Sequence, residues 1–231
     1  MTNERLQATV LTILRRPGVW KIGFDLAGLT VTGMRYSMVA KAVADGSIEC
    51  LAVDKFESQG PDSLAPGMVT AARYDIQKNA MLFPREDYGS KPSEERAIFH
   101  EATHAIFDLF ASSHDDRTLA INDESAAVLA EALYLRLTDR PMGNFTMWID
   151  GPQDNALKLA DKMMAETGDF EKDKRTYFLK PQQTQKLRDA VAIDWHFTTY
   201  TGSDGLPTDS SKVRYIYDGV VKCYSCWVHN Q

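Results

Sequence analysis

No run among the 231 residues approaches the roughly 18 to 20 consecutive apolar positions that a membrane-spanning helix requires, so no membrane partner is expected. The first residues, Met1-Thr2-Asn3-Glu4-Arg5-Leu6, lack the basic start, apolar centre and small-residue cleavage site of a secretory signal. A cytoplasmic location is the resulting expectation, with export by a route that needs no such signal left open. Cysteine is scarce too: three residues cannot build a disulfide scaffold, and their odd number leaves one unpaired. Cys223 and Cys226 form a CxxC, but no second pair exists and His229 could add only one further ligand. That pair sits among β-formers beside Trp227 and Val228 rather than at a helix start, so inert thiols are expected. Cationic residues are in the minority, 26 against 32 acidic ones, for a net charge of -6. General affinity for nucleic-acid backbones rests on Lys and Arg and is not expected here.

What is present is ordinary globular material. Hydrophobic residues make up 44% and charged residues 25% of the chain, which argues against wholesale disorder. The length suits one domain over 1–231, with no repeat and no composition shift to divide it. Leu6, Val10, Ile13 and Leu14 recur at helical spacing within Glu4 to Arg16, and Pro17-Gly18 ends that helix. Val19 to Ile22 reads as strand-like, Tyr36 to Ala44 as helix, Ser47 to Val53 as strand, and Glu57 to Gly67 as loop. Met68 to Tyr74 and Ala80 to Phe83 predict two strands with a turn at Gln77-Lys78-Asn79. Ser93 is the expected cap of a helix from Glu94 to Phe110. A polar loop, Ser112 to Thr118, leads to a helix from Asn122 to Leu137. Gln153 to Glu166 and Gln182 to Phe197 predict further helices, Gly202 to Ser211 a late loop, and Lys212 to Val228 a terminal strand or hairpin.

The chemistry is concentrated in His100-Glu101-Ala102-Thr103-His104. Residues four apart on a helix share a face, about 6 Å apart along the axis, so His100 and His104 can aim two imidazoles at one ion. Neutral imidazole is a favoured zinc ligand, and a catalytic site adds a third protein ligand and leaves a fourth position for water. Glu101 stands beside such a position and can serve as a general base. Two histidines and an adjacent glutamate in this pattern therefore point to one Zn2+ and to hydrolysis.

The third ligand must come from elsewhere. Phe107 and Phe110 occupy the places where a metzincin would carry glycine and histidine, which rejects that class. Glu124, near the start of the next helix, can reach back if the two helices are antiparallel neighbours; Asp123, Asp108 and His114 are the other candidates. The pentad followed at this distance by a glutamate resembles the gluzincins, the thermolysin-like branch of the zincin superfamily, over about residues 68–137. The resemblance implies His100, His104 and Glu124 as ligands and Glu101 as base. The sequence departs from the thermolysin pattern, having Asp123 and Val128 where that pattern has Asn and Asp. A carboxylate orienting a ligand histidine must then come from another residue. Asp108, one turn past His104, is a candidate; Glu131, two turns after Glu124 on the same face, could be another, though it reads first as solvated or salt-bridged.

A peptidase also needs a group that stabilises the oxyanion. His196 is the first candidate, ahead of Tyr200, Tyr134 and His114, because a gluzincin-like fold would supply such a residue from the C-terminal half. The expected architecture is α+β and zincin-like: a small sheet on the motif helix, a cleft between its edge strand and that helix, and a mainly helical segment over 138–231. The expected activity is peptide-bond hydrolysis on a peptide or protein substrate. An amidase on a non-protein substrate, and a metal-binding regulatory module without proteolysis, are the alternatives. An effector protease delivered to another cell is compatible with the same features.

Overall fold

A computed structural model of the chain describes residues 2–53, 72–111, 116–140, 151–167, 176–193 and 214–217. It is an α+β protein with six α-helices and three small sheets among those residues. The first helix, α1 (Glu4–Leu14), is capped by Asn3, whose Oδ1 accepts from the N–H groups of Arg5 and Leu6 at 3.1 Å each. It buries the expected stripe, Leu6, Val10, Ile13 and Leu14. Where the sequence predicts a strand at Val19 to Ile22, Pro17–Lys21 instead form a 3-10 turn. Pro17 pre-sets the dihedral of its first position, and Gly18 allows the backbone to approach the end of a later helix. The strands follow, as a hairpin of β1 (Gly23–Leu26) and β2 (Leu29–Thr32). Ala27 and Gly28 at its tip both have positive φ, 54° and 88°, as a tight two-residue hairpin turn requires.

Helix α2 (Gly33–Ala44) leads to β3 (Glu49–Ala52), which pairs in parallel with β5 (Ala80–Phe83). β5 also pairs antiparallel with β4 (Arg73–Asp75), so the order is β3-β5-β4. The turn between β4 and β5 falls where it is expected, with Asn79 at φ 49°.

Helix α3 (Pro92–Leu109) carries the pentad, and its start differs from expectation. Ser93 is not the cap. Lys91 occupies that position, Pro92 opens the helix, and Glu94 reaches back to accept from the N–H groups of Gly89 and Ser90 at 2.9 and 3.0 Å. After β6 (Asp116–Leu119), where a loop is expected, comes α4 (Ala120–Leu137). The remaining elements are α5 (Pro152–Thr167), β7 (Tyr177–Phe178), α6 (Pro181–Ile193) and β8 (Arg214–Tyr217). β7 joins the first hairpin in parallel with β1, and β8 pairs with β6; the rest of the expected terminal strand or hairpin lies outside the described residues. The sequence predicts one small sheet; among the described residues three short ones form.

The core that positions the site is aromatic. Phe99 lies between Tyr36 of α2 and Tyr134 of α4, with ring centroids 4.3 and 4.4 Å away. Such pairs contribute about 0.5–1.5 kcal/mol each beyond their burial. Ile98, Phe99, Ala102, Ala105 and Ile106 form the buried stripe of α3, and Leu129, Leu133 and Ala126 are buried on α4. Tyr36 and Thr103 share a buried hydroxyl–hydroxyl hydrogen bond of 2.7 Å, which fixes the turn of α3 between the two histidines. Among the described residues no helix is long and apolar enough to cross a membrane.

Candidate metal centre

With the apolar stripe of α3 turned to the core, helical geometry places His100 and His104 on one flank and Glu101 and Asp108 on another. The histidine flank faces α4; the carboxylate flank faces β4. Both consequences appear in the contacts.

On the α4 side, His100 Nε2 lies 3.2 Å from Glu124 Oε2, and His104 Nε2 lies 3.7 Å from Glu124 Oε1. The other ring nitrogens are taken. His100 Nδ1 stands 2.6 Å from Glu131 Oε1, and His104 Nδ1 stands 2.7 Å from Asp123 Oδ1. An ionised carboxylate only accepts, so each Nδ1 carries a proton and each Nε2 is left to face Glu124. The two imidazole rings meet edge to face, with centroids 4.8 Å apart. Glu131 and Asp123, eight residues apart on α4, serve His100 and His104 respectively because the two helices run antiparallel.

On the β4 side, the backbone N–H of Tyr74 donates to Glu101 Oε2 at 2.6 Å, and the Tyr74 hydroxyl donates to Asp108 Oδ2 at 2.7 Å. The sequence expectation that Asp108 orients His104 is therefore corrected: Asp108 turns toward β4, and Asp123 takes that role. Glu131 meets both of its sequence readings: it pairs with Arg96 at 3.2 Å, and its other oxygen contacts the His100 ring. Tyr134 is excluded as an oxyanion donor, since its hydroxyl accepts from Arg16 and donates to Glu95 at 3.3 Å inside the core. His114, His196 and Tyr200 lie outside the described residues, as do Cys223 and Cys226. The remaining cysteine, Cys50, is buried on β3, which pushes its thiol up to about 12.

The donor set fits a divalent ion. Two ligands at zinc's ordinary distance of about 2.0–2.1 Å, in a tetrahedron, are separated by about 3.3 Å. The imidazole–carboxylate separations of 3.2 and 3.7 Å bracket that value. Two carboxylates compete for the assignment, because His100, Glu101 and His104 also offer donor atoms that all lie within 4.8 Å of one another. Their surroundings differ: one Glu101 oxygen accepts from the Tyr74 N–H, and each Glu124 oxygen faces one of the two Nε2 atoms.

No family model, curated protein or solved structure matches the chain. The site must be read from its own atoms.

Electrostatics points the same way. Burial works against charge on both histidines, but the carboxylates outweigh it. Glu124 and Glu131 hold His100 well above its ordinary value, and Asp123 with Glu124 raises His104 to about 9. Asp123 is itself pushed up by burial, the facing imidazole offsetting this only in part. Its Oδ2 has no hydrogen-bond partner among the described residues. Anionic groups thus face both imidazoles and favour their protonated form.

Proposed function

We propose that this protein is a zinc-dependent hydrolase, first of all a peptidase, with His100, His104 and Glu124 as ligands and Glu101 as general base. The observation that carries the reading is the convergence of two Nε2 atoms on one carboxylate at ligand-to-ligand distances, with both Nδ1 atoms already engaged. Two imidazoles and one glutamate form a known catalytic zinc donor set, one that leaves a coordination position open.

A zinc ion held there supplies Lewis acidity, polarising a carbonyl oxygen and bringing the pKa of water from about 15.7 to about 7. The chain's own groups do the rest. Asp123 and Glu131 hold each imidazole in the tautomer that presents Nε2. Glu101 keeps one oxygen on the Tyr74 N–H and presents the other to the attacking water. It takes the proton from that water and returns it to the departing amine nitrogen, so the base is regenerated in each turnover. An amidase acting on a non-protein amide would use the same atoms, since specificity lies in the shape of the pocket. His196 remains the candidate for oxyanion stabilisation.

Zinc measured on purified wild type, Glu101→Gln and Glu124→Ala, with hydrolysis of labelled casein and of a broad peptide library, tests the reading. The expected result is about one zinc per chain in wild type and Glu101→Gln, loss of zinc in Glu124→Ala, and hydrolysis by wild type alone. Zinc retention in Glu124→Ala would overturn the ligand assignment. Zinc-loaded wild type that cleaves nothing in the library would instead favour a metal-binding module without hydrolysis.

A further inference from the structure

The proposed work of Glu101 requires that it not become a ligand. Its donor atom lies within 4.8 Å of those of His100 and His104, and a carboxylate beside a divalent cation is drawn to coordinate it. Restraint comes from β4. Tyr74 pairs with Met81 of β5, and alternate residues of an antiparallel strand aim their N–H groups to opposite sides. The Tyr74 N–H therefore leaves the sheet and meets Glu101 Oε2 at 2.6 Å. The place of that N–H is fixed in turn by the Tyr74 side chain, which is buried and donates its hydroxyl to Asp108 Oδ2 at 2.7 Å. Asp108 is fully buried and stands seven residues after Glu101, two helical turns along the same flank of α3. One residue of β4 thus clips two carboxylates of α3.

We propose that Tyr74 is a positioning residue that holds Glu101 off the metal, with Asp108 as its anchor. This rests on the metal-site reading above. The clip leaves the fourth coordination position open for water and one Glu101 oxygen available to act as base. Without it, Glu101 closes that position.

Cobalt(II) reports coordination number through its visible absorption, which is more intense for four ligands than for five, and requires no knowledge of the substrate. The full chain is loaded with cobalt(II) as wild type, Tyr74→Phe, Asp108→Ala, Asp108→Asn and the double variant Tyr74→Phe/Glu101→Gln. Circular dichroism monitors folding. The expected result is an intense band in wild type, loss of intensity in Tyr74→Phe and Asp108→Ala, and retention in Asp108→Asn, which still accepts the tyrosine hydrogen. The double variant regains the wild-type band because its glutamine is a poor ligand. If Tyr74→Phe does not fold, Asp108→Ala against Asp108→Asn decides. An unchanged spectrum in a folded, cobalt-loaded Tyr74→Phe or Asp108→Ala overturns the proposal and leaves the metal site standing. So does a changed spectrum that the double variant fails to restore. Wild type that takes up no cobalt removes the metal-site reading and the proposal together.

Discussion

Glu131 joins His100 to Arg96: one carboxylate oxygen lies 2.6 Å from the imidazole Nδ1 and the other 3.2 Å from the guanidinium Nε. Arg96 and His100 are one turn apart on α3, so a single side chain of α4 meets a charged stripe on its neighbour. The carboxylate both fixes the ring and raises its basicity toward a metal. Replacing Glu131 with Ala should weaken zinc binding by about 10- to 100-fold without abolishing it. Competition with a chromophoric chelator measures the change. An affinity within about twofold of wild type would show that the contact has no such role.

Zinc uptake should release protons. His104 titrates at about 9 in the metal-free protein, and His100 is also raised well above its ordinary value, so both are cationic at neutral pH. Loading a divalent ion must displace these protons, so apparent affinity should rise steeply as pH climbs toward about 9. The stability sign is opposite. Histidines raised in the folded state contribute stability fully present below their ordinary 6.5 and lost as pH climbs through about 9. The zinc-induced gain in Tm should therefore grow between pH 6.5 and 9. Calorimetric titrations in buffers of different ionisation enthalpy count the protons; a count near zero would contradict the assignment.

Glu95 gathers two guanidinium groups inside the fold. It accepts from Arg16 at 2.5 and 2.7 Å and from Arg140 at 2.6 and 2.9 Å, tying α1 and the end of α4 to α3. Burial pushes this carboxyl upward, but the two guanidiniums outweigh it and hold it below the ordinary 4.5. Removing the carboxylate strands two guanidiniums that keep partial access to solvent, so Glu95→Gln should cost about 1 to 2 kcal/mol at pH 7. A depressed carboxyl contributes stability above its unfolded value and loses it as pH falls through the folded one. Urea unfolding of wild type and Glu95→Gln should therefore converge as pH drops below 4.5. A constant gap would assign the effect to packing.

Gly18 lies against the last turn of α4, where an added Cβ would stand 2.1 Å from the Leu137 carbonyl oxygen and 2.6 Å from its carbon. Backbone cannot yield as a flexible side chain can. Gly18→Ala should destabilise the protein by about 2 kcal/mol while leaving zinc stoichiometry unchanged. Thermal melts with and without zinc test both parts.

The helices and the pentad were legible because they depend on spacing within one segment, and the approach of Glu124 to the imidazoles because sequential neighbouring helices tend to run antiparallel. Asp123 was not legible in its role, and the sequence ranked a contact of Glu131 with a histidine below a solvated or salt-bridged place. Which residue of α4 meets which ring depends on the rotation of two helices about their own axes. That rotation is set by packing around Phe99, Tyr36 and Tyr134, which come from three separate helices. Asp123 looked like a departure from a pattern, yet its Oδ1 makes the contact with His104. Ser93 looked like a cap, but Glu94 satisfies more of the free N–H groups from one place. The Val19 to Ile22 segment has strand-forming residues, but the approach of Gly18 to Leu137 sets its path.

Asp123, Glu124 and Glu131 all belong to α4, while both imidazoles belong to α3. A slip of one helix past the other by a single turn, about 5.4 Å, would remove the shared carboxylate and both orienting carboxylates in one movement. The centre behaves as a vernier: its two scales coincide at one setting only. On the proposed reading, metal retention is then a gauge of helix register, and a substitution at the buried Leu129 or Leu133 would register as lost zinc before it registered as lost helix.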